Sequence, residues 1–169
     1  EDWTRFLAKH GKDPLAPKAQ YYLGVCHVQL KQFPKAVVVL DTLLKAKPDF
    51  EHAEDAYLNL GWSQYSLATA GQSDLYASAQ ATFTLLNEKY PKGKYADQAA
   101  YFLGESFYHQ GKKQEAIASY EIVVKKFDKS PLRCDSAYAL GVAYEELGQF
   151  AEAGKIYDIY LAECTSNPL

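Results

Sequence analysis

The stretch that decides the fold is YFLGESFYHQGKKQEAIASYEIVVKKF, residues 101–127. It reads as two helices with a glycine turn at QGKK, residues 110–113, between them. Gly104 stands inside the first helix, where a glycine costs about 1 kcal/mol relative to alanine. The same Leu-Gly pair recurs at Gly24, Gly61 and Gly141, so the four glycines are spaced by 37, 43 and 37 residues. Twelve residues after Gly24, Gly104 and Gly141 come Ala36, Ala116 and Ala153. After Gly61 the matching Ala79 comes six residues later than expected, and those six also explain the longer spacing.

The register extends to the large residues. Four after each alanine stand Leu40, Phe83, Tyr120 and Tyr157; seven after stand Leu43, Leu86, Val123 and Tyr160. That spacing puts all three positions on one helical face. Each unit is therefore a helix carrying Leu-Gly, a break, and a helix carrying the alanine and its large companions. The breaks have turn chemistry: QFP at 32–34, AGQSD at 70–74, QGKK and LGQF at 147–150. Four helix glycines would cost about 4 kcal/mol if they did nothing else. The repeat predicts that each faces the alanine of the next helix, and that close packing offsets the cost.

The pattern resembles the tetratricopeptide repeat family, W-x2-L-G-x2-Y, then A-x3-F, then P. Leu-Gly, alanine and large residues match in four units. The initial aromatic is Tyr57 in one unit, with Gln20, Ala100 and Ala137 in the others. The aromatic after glycine is Phe107 and Tyr144, replaced by His27 and Gln64 in the first two units. The closing proline is Pro48 and Pro91, with Asp128 and Thr165 in the last two. The resemblance implies an all-α, right-handed superhelical solenoid of antiparallel helix pairs. Its expected parts are residues 1–13, the second helix of a preceding unit, then units 14–50, 51–93 (with the insertion), 94–130 and 131–169. The linkers HGKDPLAPKAQYYLG, YPKGKYADQAAYFLG and FDKSPLRCDSAYALG are also similar to those of cell-envelope members of the family in bacteria. The Tol-Pal-associated coordinator and the outer-membrane-assembly lipoprotein are of this type, which points toward periplasm or cell envelope.

In this family the first helices line a concave groove that binds peptides. The stripe at three before, one after and four after each glycine would line it here. It reads Tyr21, Val25, Val28; Leu58, Trp62, Tyr65; Tyr101, Glu105, Tyr108; Tyr138, Val142, Glu145. Tyrosine and tryptophan carry much of the energy at binding hot spots. Glu105, Glu145, Asp55 and Asp135 add negative charge, so the expected partner is an apolar or aromatic protein segment with some basic residues. A lysine-asparagine clamp for a terminal carboxylate is not expected, because only Lys18 lies near an equivalent place. The same rings could instead fill the space between units. The alternative reading is then a structural spacer or self-association segment of a longer solenoid.

Other classes find little support. The chain has 169 residues, 48% hydrophobic and 23% charged, with net charge −3. No basic field exists to attract a phosphate backbone, so nucleic acid is not an expected partner. No apolar run approaches the ~18 residues of a membrane span. The sequence starts within a helical pattern and lacks methionine, and it is read as a fragment of a longer or processed protein. His10, His27, His52 and His109 show no ligand spacing, and no serine lies in a G-x-S-x-G context, so no catalytic residue, metal or cofactor is expected. His27 is read as a packed imidazole. The lysines of KGK (92–94) and of the pairs at 112–113 and 125–126 sit at helix ends and turns, where the dipole favours cations. The insertion, SLATAGQSDLYASA at 66–79, is either a projecting corner or a lengthened helix pair. Cys134 opens one helix and Cys164 closes its partner, so either a disulfide or two buried thiols would fit; Cys26 is read as core.

Overall fold

The computed structural model describes residues 2–164 and, among them, nine helices. They fall into two compact units, Glu1–Tyr95 and Ala96–Leu169. The first unit holds α1 (Asp2–His10), α2 (Ala16–Gln29), α3 (Phe33–Ala46), α4 (Ala53–Thr69) and α5 (Leu75–Lys89). The second holds α6 (Ala96–His109), α7 (Lys113–Lys126), α8 (Arg133–Glu146) and α9 (Phe150–Cys164). Within each unit every helix packs on the next as an antiparallel neighbour, the expected all-α solenoid of helix pairs. Thr165 and the rest of 165–169 lie outside the described residues.

Each pair turns through the same device. The helix-ending residue adopts a left-handed conformation at Lys31 (φ 55°), Gly71 (φ 112°), Gly111 (φ 74°) and Gly148 (φ 73°). The amides of Gln32, Gln72, Lys112 and Gln149 then donate back to the carbonyls of His27, Leu67, Phe107 and Tyr144. This Schellman closure satisfies carbonyls that the helix end leaves without partners.

The Leu-Gly register resolves differently from expectation. The four alanines are buried, but what lies over each glycine is the large residue one turn beyond the alanine. A Cβ on Gly61 would stand 2.7 Å from Phe83, and one on Gly104 would stand 2.6 Å from Tyr120. Gly24 and Gly141 are covered in the same way by Leu40 and Tyr157. The glycine makes room for a ring or a leucine rather than for helix backbone, because the alanine sits one turn away along its helix. Leu40, Phe83 and Tyr120 are fully buried as a result. Around Tyr120 the second unit gathers Ala116, Ile117, Val124, Ala137, Leu140 and Ala143 into its core.

The insertion is a lengthened helix pair. Three of its residues extend α4 to 17 residues against 14 in α2, α6 and α8, two lengthen the turn, and one precedes Ala79 in α5. The polar residues at the aromatic register are satisfied locally: His27 Nδ1 is hydrogen-bonded to Gln32 Oε1 (2.9 Å), and Thr82 Oγ1 donates to Gln64 Oε1 (2.7 Å). Cys134 and Cys164 form a disulfide, with Cα atoms 5.7 Å apart, joining the start of α8 to the end of α9. Cys26 is exposed, a correction to its reading as core. Two residues beyond Gly24 is about 200° around the helix, so Cys26 points away from the face that Leu40 covers.

Candidate functional site

The stripe predicted from the glycine register meets two environments. In the first unit α2 and α4 approach closely, and the linker between α3 and α4 folds over Tyr21. Its ring stacks on His52 at 4.9 Å and tilts against Phe50 at 6.0 Å. Trp3 of α1 stacks on Tyr22 at 5.8 Å beside it. Burial, and then the Asp55 charge, push the Tyr21 phenol up. Val25 and Leu58 are half-buried. Trp62, 37% exposed, stacks on Tyr65, and Tyr65 meets the edge of Tyr76 from the insertion. At Tyr21 this half of the stripe is filled by the chain itself.

The acids of that half are also engaged. Asp55 accepts from Lys94 Nζ and the Tyr95 hydroxyl, both at 2.8 Å. Burial alone would raise its carboxyl, but those two hydrogen bonds hold it below the usual range. Lys18, the nearest thing to a clamp lysine, pairs with Glu51 at 3.3 Å. The Lys18–Glu51 and Asp55–Lys94 pairs occupy the same two registers with the signs exchanged. Each ties the linker into one first helix back to the start of the first helix before it.

The second unit is open. Between α6 and α8 lies a groove of about 350 Å³. Tyr101, Glu105 and Tyr108 line it from α6, and Asp135, Tyr138 and Val142 line it from α8. Tyr138 is 55% exposed. The groove thus brings together five residues of the predicted stripe, Tyr101, Glu105, Tyr108, Tyr138 and Val142. It does not include Glu145, which lies exposed and accepts from the Tyr157 hydroxyl at 2.9 Å.

Sequence reasoning missed three lining residues, His109, Tyr120 and Ala139. The register puts Tyr120 on the helical face it shares with Ala116 and Val123. What the register also implied is that a ring lying over a glycine can cross the helix, and the Tyr120 hydroxyl does so to reach Glu105 Oε1 at 2.7 Å. Tyr108 donates to Glu146 Oε1 at 2.9 Å, and Glu146 is held by Lys113 at 3.0 Å. Burial pushes the Tyr101 phenol far up, and the charges of Glu105 and Asp135 add to that. The arrangement offers aromatic surface in a negative field. No group of three metal-ligating side chains occurs among the described residues. Among the same residues, no helix is long and apolar enough to cross a membrane.

The family model described as tetratricopeptide repeat matches residues 1–50, 69–131 and 103–168. No curated protein matches the sequence at a significant level. Solved structures are similar in fold. A crystal structure of MamA superposes with TM-score 0.74 at 20% identity, over 95% of this chain and 83% of that one. MamA from Desulfovibrio magneticus RS-1 superposes with TM-score 0.74 at 18% identity, over 98% and 85%. A Podosopora anserina kinesin light chain protein with nearly identical TPR-like repeats gives 0.69 at 18% identity, over 95% and 82%.

Proposed function

The chain belongs to the tetratricopeptide repeat family, a family of scaffolds that bind protein partners, and from that premise we propose that it holds an extended peptide segment against the α6–α8 groove without catalysing a reaction on it. The observation that carries this reading is the open groove of about 350 Å³ between Tyr101, Tyr108 and Tyr138. Rigid aromatic surface with few rotatable bonds is what hot spots are made of. The filled space around Tyr21 supports placing the main contact in the second unit. The segment is apolar or aromatic with some basic character, a reading supported by the Tyr101, Tyr108 and Tyr138 rings and by Glu105 and Asp135 in the lining.

The disulfide supports an oxidising compartment. Together with the envelope-type linkers, it makes the bacterial periplasm or cell envelope our proposed setting. Self-association is a second reading, favoured by Phe150 at 70% and Leu147 at 41% exposure beside one another at the α8–α9 turn. Light scattering over a concentration series separates the two, because the groove reading needs no second copy.

The groove is tested by selecting peptides from a random library on the purified chain. The counter-selection uses a Tyr101→Ala/Tyr138→Ala variant whose helix content is unchanged by circular dichroism. A consensus that disappears with the variant is the expected result. Peptides indifferent to the variant, or no enrichment, would sink the reading.

A further inference from the structure

We propose that Tyr160 and the Cys134–Cys164 bridge, which stand outside the groove lining, are positioning residues for the α6–α8 groove: they hold the Tyr138 ring as its α8 wall. This rests on the groove reading and adds what fixes one side of that site. The two walls are supported differently. Tyr101, on the α6 wall, packs on the buried core of the second unit, its ring 6.1 Å from that of the fully buried Tyr120. Tyr138 is 55% exposed, and its ring contact among the described residues is with Tyr160 of α9, 5.8 Å away. Tyr160 is itself half-buried against that same core.

Residue spacing places the bridge one turn from that contact on both helices. Cys134 precedes Tyr138 by four residues, and Cys164 follows Tyr160 by four. In an antiparallel pair the disulfide and the ring contact are therefore successive rungs on one face. The next rung is Tyr157, lying over Gly141. Cys134 sits in the first turn of α8, whose N-cap Leu132 makes no side-chain cap, and helix ends without such ties open first. Thirty-seven residues earlier, the α6–α7 pair has Asp97 and Phe127 at the bridge positions and the fully buried Val123 at that of Tyr160. There burial holds the wall tyrosine and no bridge is needed. A wall fixed in advance matters because ordering a side chain on binding lowers affinity, and preorganisation removes that loss.

The test compares two tyrosines within one chain. Ring signals of Tyr138 and Tyr101 are followed by NMR before and after tris(2-carboxyethyl)phosphine, which is oxidised to its phosphine oxide as the bridge becomes two thiols. Reduction should abolish the nuclear Overhauser effects between Tyr138 and Tyr160. Those between Tyr101 and Tyr120 should persist, with helix content by circular dichroism unchanged. A peptide selected from the random library on the oxidised chain should bind the reduced chain about three- to tenfold more weakly, the effect of ordering one or two side chains anew. Cys134→Ser/Cys164→Ser should match the reduced chain and ignore the phosphine. Tyr160→Phe should keep the affinity, and Tyr160→Leu, which fills the space without a ring, should lose it by a similar factor. Tyr138 and Tyr101 signals that respond alike, or an affinity indifferent to both reduction and Tyr160→Leu, overturn the proposal. No enriched peptide at all sinks the groove reading and this one with it, whereas an enriched peptide with Tyr138 unmoved by reduction sinks this one alone.

Discussion

Gly104 lies under the ring of Tyr120, and that contact sets the sign of a substitution that helix propensity alone would misjudge. Alanine in place of a helix glycine gains up to about 1 kcal/mol of propensity. At Gly104 the new Cβ would stand 2.6 Å from a fully buried ring, and overpacking of that kind costs about 1–3 kcal/mol. Gly104→Ala should therefore lower stability in urea denaturation. Gly154→Ala, on an exposed face of α9 with nothing within 4 Å of its Cβ, should raise it by about 0.5–1 kcal/mol. Lys31 poses the opposite problem. It takes the left-handed conformation that glycine takes in the other three turns. Lys31→Gly should stabilise the chain by about 0.5–1 kcal/mol, because the Cβ strain it relieves exceeds the entropy of the added freedom. An unchanged urea midpoint would contradict this account of the turn.

At the scale of elements, the helix pair α8–α9 is closed covalently and the others are not. The disulfide spans a separation of 30 residues. In the chain-entropy account, closing a loop of that length stabilises by about 3–4 kcal/mol. A Cys134→Ser/Cys164→Ser variant should lose stability on that scale, and the parent chain with reductant should unfold at the same urea concentration as the variant. Insensitivity of the parent to reductant would mean the bridge is not formed in solution. The ion pair between Arg133 and Glu163 sits next to the bridge and ties the same two helix ends. The other linkers are pinned without a covalent bond, by Lys18–Glu51 and Asp55–Lys94 in the first unit and by Ser130 donating to Asp97 at 2.6 Å in the second.

Across the whole molecule, carboxylates held by cations and phenols make the fold sensitive to acid. Asp55 in the first unit is lowered by Lys94 and Tyr95 against the opposing effect of burial. Glu121 in the second is lowered by Lys125 and Tyr144, again against burial. A depressed carboxyl contributes stability that is present above its unfolded pKa, near 4, and is lost as pH falls through the lower folded value. Stability by thermal melting should therefore decline below about pH 4, and Asp55→Asn with Glu121→Gln should flatten that decline. The helix pairs themselves were legible from residue spacing. Leu-Gly, alanine and the large residues one and two turns on recur because each unit meets its neighbours through the same faces, and angular position around a helix follows from count alone. Count does not say how far a side chain reaches or what returns to cover it. Tyr120 crossing Gly104, Phe50 and His52 closing over Tyr21, Lys94 cancelling Asp55 39 residues earlier and Cys26 facing outward all depend on groups brought near by packing. The sequence by itself thus determined the fold and which residues share the stripe. Only the tertiary structure decided that one part of the stripe is filled and another is an open, negatively charged groove, because burial and charge at a point are set by neighbours distant in the chain.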